Sequence, residues 1–194
     1  MLFRSLGLAA SHGPMITTPP EHWHARVPFD QSARHPFRGK TYSFDELVEA
    51  RKAQGFAEQI TPAVWRRRHA ACHAALAEMA DAFRDARIDA AVIVGDDQNE
   101  MLTAVNPPWF FVFTGETIID EPASEVQLAM MPPGVAISEP GRRPDHREVY
   151  PCRPDLAREL AARLKEGGYE IEQTNAWTHA GAPANAYGMP HAYS

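Results

Sequence analysis

Histidine is the side chain best suited to proton transfer and metal binding near neutral pH, and this chain carries nine of them. His12 stands between Ser11 and Gly13-Pro14, directly after an apolar run. A histidine at the end of a strand can be a metal ligand or a general base, or it can simply help a turn. Asp96, Asp97 and Glu100 place three carboxylates within five residues. Hard oxygen donors suit a divalent cation, while a solvated acidic loop or a helix N-cap uses the same residues without one. His69 and His73 have the i, i+4 spacing that can bind zinc, as in HExxH. Ala70-Ala71-Cys72 lie between them with no Glu to act as base, so exposed helix positions account for the pair. His22 and His24 flank Trp23 and either line a pocket or belong to a structural loop. His191 falls near the end in Gly188–Ser194, where a terminal position suits a frayed tail while Pro190 and the nearby Tyr187 and Tyr193 suit a packed segment. GxGxxG, P-loop and GxSxG patterns are absent, which leaves nucleotide binding on those loops and serine hydrolysis without support.

Residues so scattered need a scaffold to bring them together. Leu2–Ala10 reads as a strand buried on both faces, broken by Gly13-Pro14, with His12 near its carboxyl end. The stretch from 17 to about 42 is rich in Pro, His, Arg and aromatics without a clean period and reads as a long ordered loop. Ser43 and Glu46 form a capping-box pattern before a helix over about 44–54. Thr61 and Pro62 open a stronger helix, in which Trp65, Cys72, Leu76, Met79 and Phe83 follow at spacings of 7, 4, 3 and 4. Ala90–Val94 reads as a second buried strand ending in the acidic residues 96–100, and Trp109–Phe113 as a third. A helix over 154–165 carries Leu156, Leu160 and Leu164 on one face and stops at Gly167-Gly168, before a fourth strand over 169–173.

Helix followed by buried strand is half of a βαβ unit. The order predicts an α/β fold over 1–194, with a mainly parallel central sheet flanked by helices and a site at the carboxyl ends of the strands. The 194 residues suit one domain; 44% are hydrophobic and 23% charged, with a net charge of −6. A pI near 5.8 argues against nucleic acid as a partner. No run approaches the ~20 apolar residues of a membrane span. Cys72 and Cys152 do not make a disulfide framework and read as reduced thiols of a cytoplasmic protein.

Leu6–Ile16, with Ser11-His12-Gly13-Pro14 at its centre, resembles the opening "strand, then SHxP" of class III extradiol ring-cleavage dioxygenases. The similarity extends to the subgroup of the catalytic beta subunit of protocatechuate 4,5-dioxygenase. Thr18-Pro19-Pro20-Glu21-His22-Trp23, Val94–Glu100, Pro108, Val112-Phe113-Thr114-Gly115 and Met189-Pro190-His191-Ala192-Tyr193 carry it in order. The resemblance implies a non-haem Fe(II) site of two histidines and a glutamate, open to a catecholate and O2, and ring opening beside the diol. It implies His12 as first ligand and His191 as the acid–base histidine. Gln98 occupies the position of the second ligand. Its neutral carbonyl oxygen is a poorer donor than imidazole, and Asp97, or Glu100 by a rearranged loop, could compensate. The family's glutamate ligand lies on later sequence, so the chain is expected to be the amino-terminal part of a longer protein with an incomplete site.

The expected activity is thus O2-dependent extradiol cleavage of a small aromatic diol. His24 and Arg34 in the loop, together with Trp23 and Arg38, could recognise an aromatic carboxylate, since Arg forks onto carboxylates. A non-catalytic or accessory member of the same fold, and a metal-dependent hydrolase on the same scaffold, are the alternatives. A truncated sheet would leave apolar surface uncovered, which predicts a homo- or hetero-oligomer.

Overall fold

A run rich in alanine and arginine behind Thr61-Pro62 makes the longest element among the described residues. A computed structural model describes residues 5–11, 13–95, 110–131 and 133–175. It falls into two units, Met1–Ile88 with Ala123–Gly141, and Asp89–Pro122 with Arg142–Ser194. The chain is a mixture of helices and strands that includes a small parallel sheet.

The first unit is mostly helical. Pro14 opens the single turn α1 (Pro14–Thr17). A 3-10 helix (Pro20–Arg26) and α2 (Val27–Ser32) follow, each with a proline in its first two positions, where the missing N–H costs nothing. Strands β1 (His35–Phe37) and β2 (Lys40–Tyr42) pair antiparallel. The two residues between them, Arg38 and Gly39, have φ of 50° and 76°, which matches the twist of a two-residue hairpin and suits glycine. The long ordered loop expected over 17–42 is therefore built almost entirely from short regular elements. Their turns are too few, and their prolines too many, to leave an amphipathic period in the sequence.

Helix α3 (Phe44–Ala50) has the expected capping box. The Glu46 N–H donates to Ser43 Oγ at 3.2 Å, and the Ser43 N–H donates to the Glu46 carboxylate at 2.7 Å. Helix α4 (Pro62–Ala86) has the expected Thr61 cap on the Val64 N–H. It ends on Arg87 at φ 47°. Its inward stripe is Trp65, His69, Leu76 and Met79, all half-buried, whereas Cys72 and Phe83 remain exposed. Helices α5 (Glu125–Met130) and α6 (Pro133–Ala136) complete this unit. The following turn Glu139–Gly141 closes on α1. A Cβ on Gly141 would lie 2.7 Å from the Thr17 carbonyl, so only glycine allows the approach.

The second unit is built from paired strands. β3 (Phe110–Phe113) and β6 (Ile171–Thr174) run parallel, with Phe110 opposite Ile171. β4 (Thr117–Asp120) and β5 (Glu148–Pro151) run antiparallel. Helix α7 (Pro154–Glu166) packs on β3 and β6. The expected leucine row is only partly used. Ala161 is fully buried and Ala157 and Leu164 half-buried, while Leu156 and Leu160 face solvent. The small alanine lets the helix backbone approach the parallel pair closely.

Two expected strands differ. Residues 5–10 of Leu2–Ala10 form no strand, and Leu2–Arg4 lie outside the described residues. Ala90–Val94 forms no strand with any described residue, and Val92, Ile93 and Val94 are 75%, 61% and 84% exposed. Among the described residues the strands form three two-stranded sheets, one of them parallel. Apolar, β-branched sequence favours a strand but does not choose its partner, which is a tertiary matter. No described helix is long and apolar enough to cross a membrane.

Candidate functional site

His12, Asp96, Asp97, Gln98, Glu100 and His191 lie outside the described residues, so the implied ligand set is not displayed. Its nearest described neighbours are Ser11 and Gly13. The Gly13 N–H donates to Ser11 Oγ at 3.2 Å, tying together the residues on either side of position 12. α1 then starts at once. The Thr18 hydroxyl, fully buried, donates to the Pro14 carbonyl at 2.6 Å, and its N–H donates to the same oxygen at 3.0 Å. The Thr18 carbonyl in turn accepts from Trp23 Nε1 at 2.9 Å. Pro14–Trp23 is thereby fixed by hydrogen bonds made within itself.

This segment rests on α4 through rings. Trp23 lies 6.2 Å from Trp65 and 6.4 Å from His69, and His69 lies 4.2 Å from His73, all between ring centroids. His73 Nε2 is 3.0 Å from the Ile16 carbonyl. That oxygen can only accept, so Nε2 is the donor. His69 is half-buried. Burial, and after it the charge of His73, holds its imidazole below the ordinary value, with Glu21 pulling the other way. The sequence placed this histidine pair on an exposed helical surface. His73 is exposed, but His69 belongs to a half-buried aromatic cluster. The i, i+4 spacing was visible; the contact with Trp23 and Ile16, some fifty residues away, was not.

His24 is exposed on the 3-10 helix. Arg34 is exposed beside the hairpin, where it donates to the Thr41 carbonyl at 3.2 Å and lies 3.7 Å from the Glu46 carboxylate. Its guanidinium is thus engaged in holding β2 and the start of α3.

A second polar group lies in the other unit. Asp120 is buried and its carboxylate accepts from Arg143 at 3.4 Å. Burial raises its carboxyl above the ordinary range, against the pull of Arg143. Tyr150 donates its hydroxyl to the Glu148 carboxylate, which pushes the phenol up to about 12. Each of these groups is occupied by its neighbour. Cys152, half-buried with its thiol pushed up by burial, and the exposed Cys72 are both free thiols.

Among the described residues, no set of three or more His, Cys, Asp and Glu side chains converges as a metal centre. A complete centre of the implied kind would need residues outside them. No family model, curated protein or solved structure matches the chain.

Proposed function

We propose that this chain belongs to a non-haem Fe(II)-dependent extradiol dioxygenase that cleaves a catechol-type ring with O2. The observation that carries the reading is the short stretch around the SHxP resemblance: the Gly13 N–H donates to Ser11 Oγ, and α1 begins at Pro14, directly after it. Two further features support it. Val112-Phe113-Thr114-Gly115, part of the resemblance, falls at the carboxyl end of a parallel strand. Thr114 donates both its N–H and its hydroxyl to the Thr174 carbonyl, at 2.7 and 3.1 Å, closing the β3–β6 pair there. In this reading β3–β6 with α7 is the described part of a mainly parallel sheet, and the site lies beyond the strand ends.

The iron would be held by His12 with Gln98 or Asp97, and when bound it supplies catecholate formation and O2 binding in one coordination sphere. His191 serves as the acid–base histidine. A carboxylate on the substrate would draw on Arg34, in competition with Glu46, and on His24.

Anaerobic titration with Fe(II) tests the reading. A protein carrying the complete implied ligand set should bind the ion, His12→Ala in it should abolish binding, and Gln98→His should tighten it. His191→Ala should retain iron while removing any O2 uptake with catechols. Iron binding unchanged in His12→Ala overturns the assignment. Absence of binding in both the parent and Gln98→His favours the accessory reading, in which the fold serves assembly. Zinc retention with esterase or amidase turnover favours a hydrolase on this scaffold.

A further inference from the structure

We propose that His69 and His73 form a second, separate metal site on α4, a two-imidazole chelate for a divalent ion of the nickel, copper and zinc class.

Three observations converge on it. First, the rings are adjacent, with centroids 4.2 Å apart and planes inclined at 38°. Metal–nitrogen bonds to histidine are about 2.0–2.1 Å, and with the His73 ring held by Ile16, rotation of the His69 ring about its terminal torsion can turn one of its nitrogens towards an ion on His73 Nδ1. Helical i, i+4 placement holds the pair on one face. Second, the Nε2–H of His73 donates to the Ile16 carbonyl at 3.0 Å. This fixes the neutral tautomer, with its lone pair on Nδ1. Donation of the distal N–H to a backbone carbonyl is the support that metal-binding histidines ordinarily have. Third, the site is open on one side and closed on the other. His73 is exposed, while His69 is half-buried against Trp23. An ion can enter from solvent and meet a ring whose orientation is already restricted.

Imidazole donors select borderline ions over calcium and magnesium, and the order of affinity should follow nickel below copper above zinc. Among the described residues no third His, Cys, Asp or Glu joins the pair. The consequence reaches beyond α4. His73 holds the Ile16 carbonyl, so an ion that fixes the His73 ring also fixes α1.

The test is a titration of the full chain with Ni(II) or Cu(II) alone, in a non-chelating buffer. Tryptophan emission, to which Trp23 and Trp65 beside the pair contribute, should be quenched saturably, and frozen Cu(II) samples should show coupling to two nitrogens. His69→Phe keeps a ring against Trp23 and removes its nitrogens. His73→Gln keeps a donor for Ile16 and removes the imidazole. Each should weaken binding by more than the roughly tenfold typical of losing an outer-shell partner, with circular dichroism unchanged. His12→Ala should leave this binding intact, which separates it from the iron reading. Unchanged affinity in both ring variants, or loss of all binding in His12→Ala, overturns the proposal.

Discussion

The two polar clusters of this protein, one in each unit, are close to opposites. In the second unit Asp120 meets Arg143 and Glu148 meets Tyr150. Each acid has a donor of its own, so the groups satisfy one another. In the first unit His69 meets His73, and Trp23 and Ile16 hold them from either side. Two imidazoles do not saturate each other, because each keeps a lone pair when neutral. Complementary charge makes a closed structure, whereas like donors side by side leave a capacity for a ligand. The difference lies in the pairing of chemical types, since both clusters are polar.

Arg143→Met is the strongest way to break the comparison. It strands the buried Asp120 carboxylate and should cost about 3–5 kcal/mol, read by denaturant unfolding. The same variant should raise the Asp120 carboxyl further, since of the influences opposing burial only the Glu121 backbone hydrogen bond would remain. If the variant is as stable as the parent, the pair is not structural. On the other side, Trp23→Phe keeps ring packing on His69 and removes the bond to the Thr18 carbonyl. A loss of about 1 kcal/mol is expected, with α1 protection in hydrogen exchange falling most.

The smallest effect concerns pH. Bonding to Arg153 lowers Asp155 to about 2, at the first turn of α7. A carboxyl held lower in the folded state stabilises the fold above its unfolded value. That contribution is lost as pH falls from the ordinary carboxylate range towards about 2. The start of α7 should loosen across that window, and Asp155→Asn should flatten the response. Asp120 has the opposite sign. Its raised carboxyl makes the fold lose stability as pH rises just above the ordinary aspartate range.

Much of the local structure was legible in the sequence. The Ser43–Glu46 box, the Thr61-Pro62 start, α7, and the strands at Phe110–Phe113 and Ile171–Thr174 follow from caps, prolines and periodicity, which are encoded within a few residues. Pairing was less legible. Nothing local to Ala90–Val94 says whether a partner strand lies beside it, and nothing local to His69 announces Trp23. The short elements of 17–42 were hidden for another reason. Proline starts them and hydrogen bonds end them within one or two turns, too soon for a stripe to accumulate. Of the candidate site, the residue types and their order could be read from sequence, but the ring stack on α4 is a property of the folded chain.

The exposed run Ala90–Val94 sets the terms on which this protein can be concentrated. Such a run is a template on which another chain can add a strand. The net charge of −6 is a long-range force holding copies apart. Salt shortens that force to about 10 Å at 0.1 M, within reach of the template. Self-association should therefore be governed by ionic strength as much as by concentration, and a lysine at Ile93 would act as a gatekeeper.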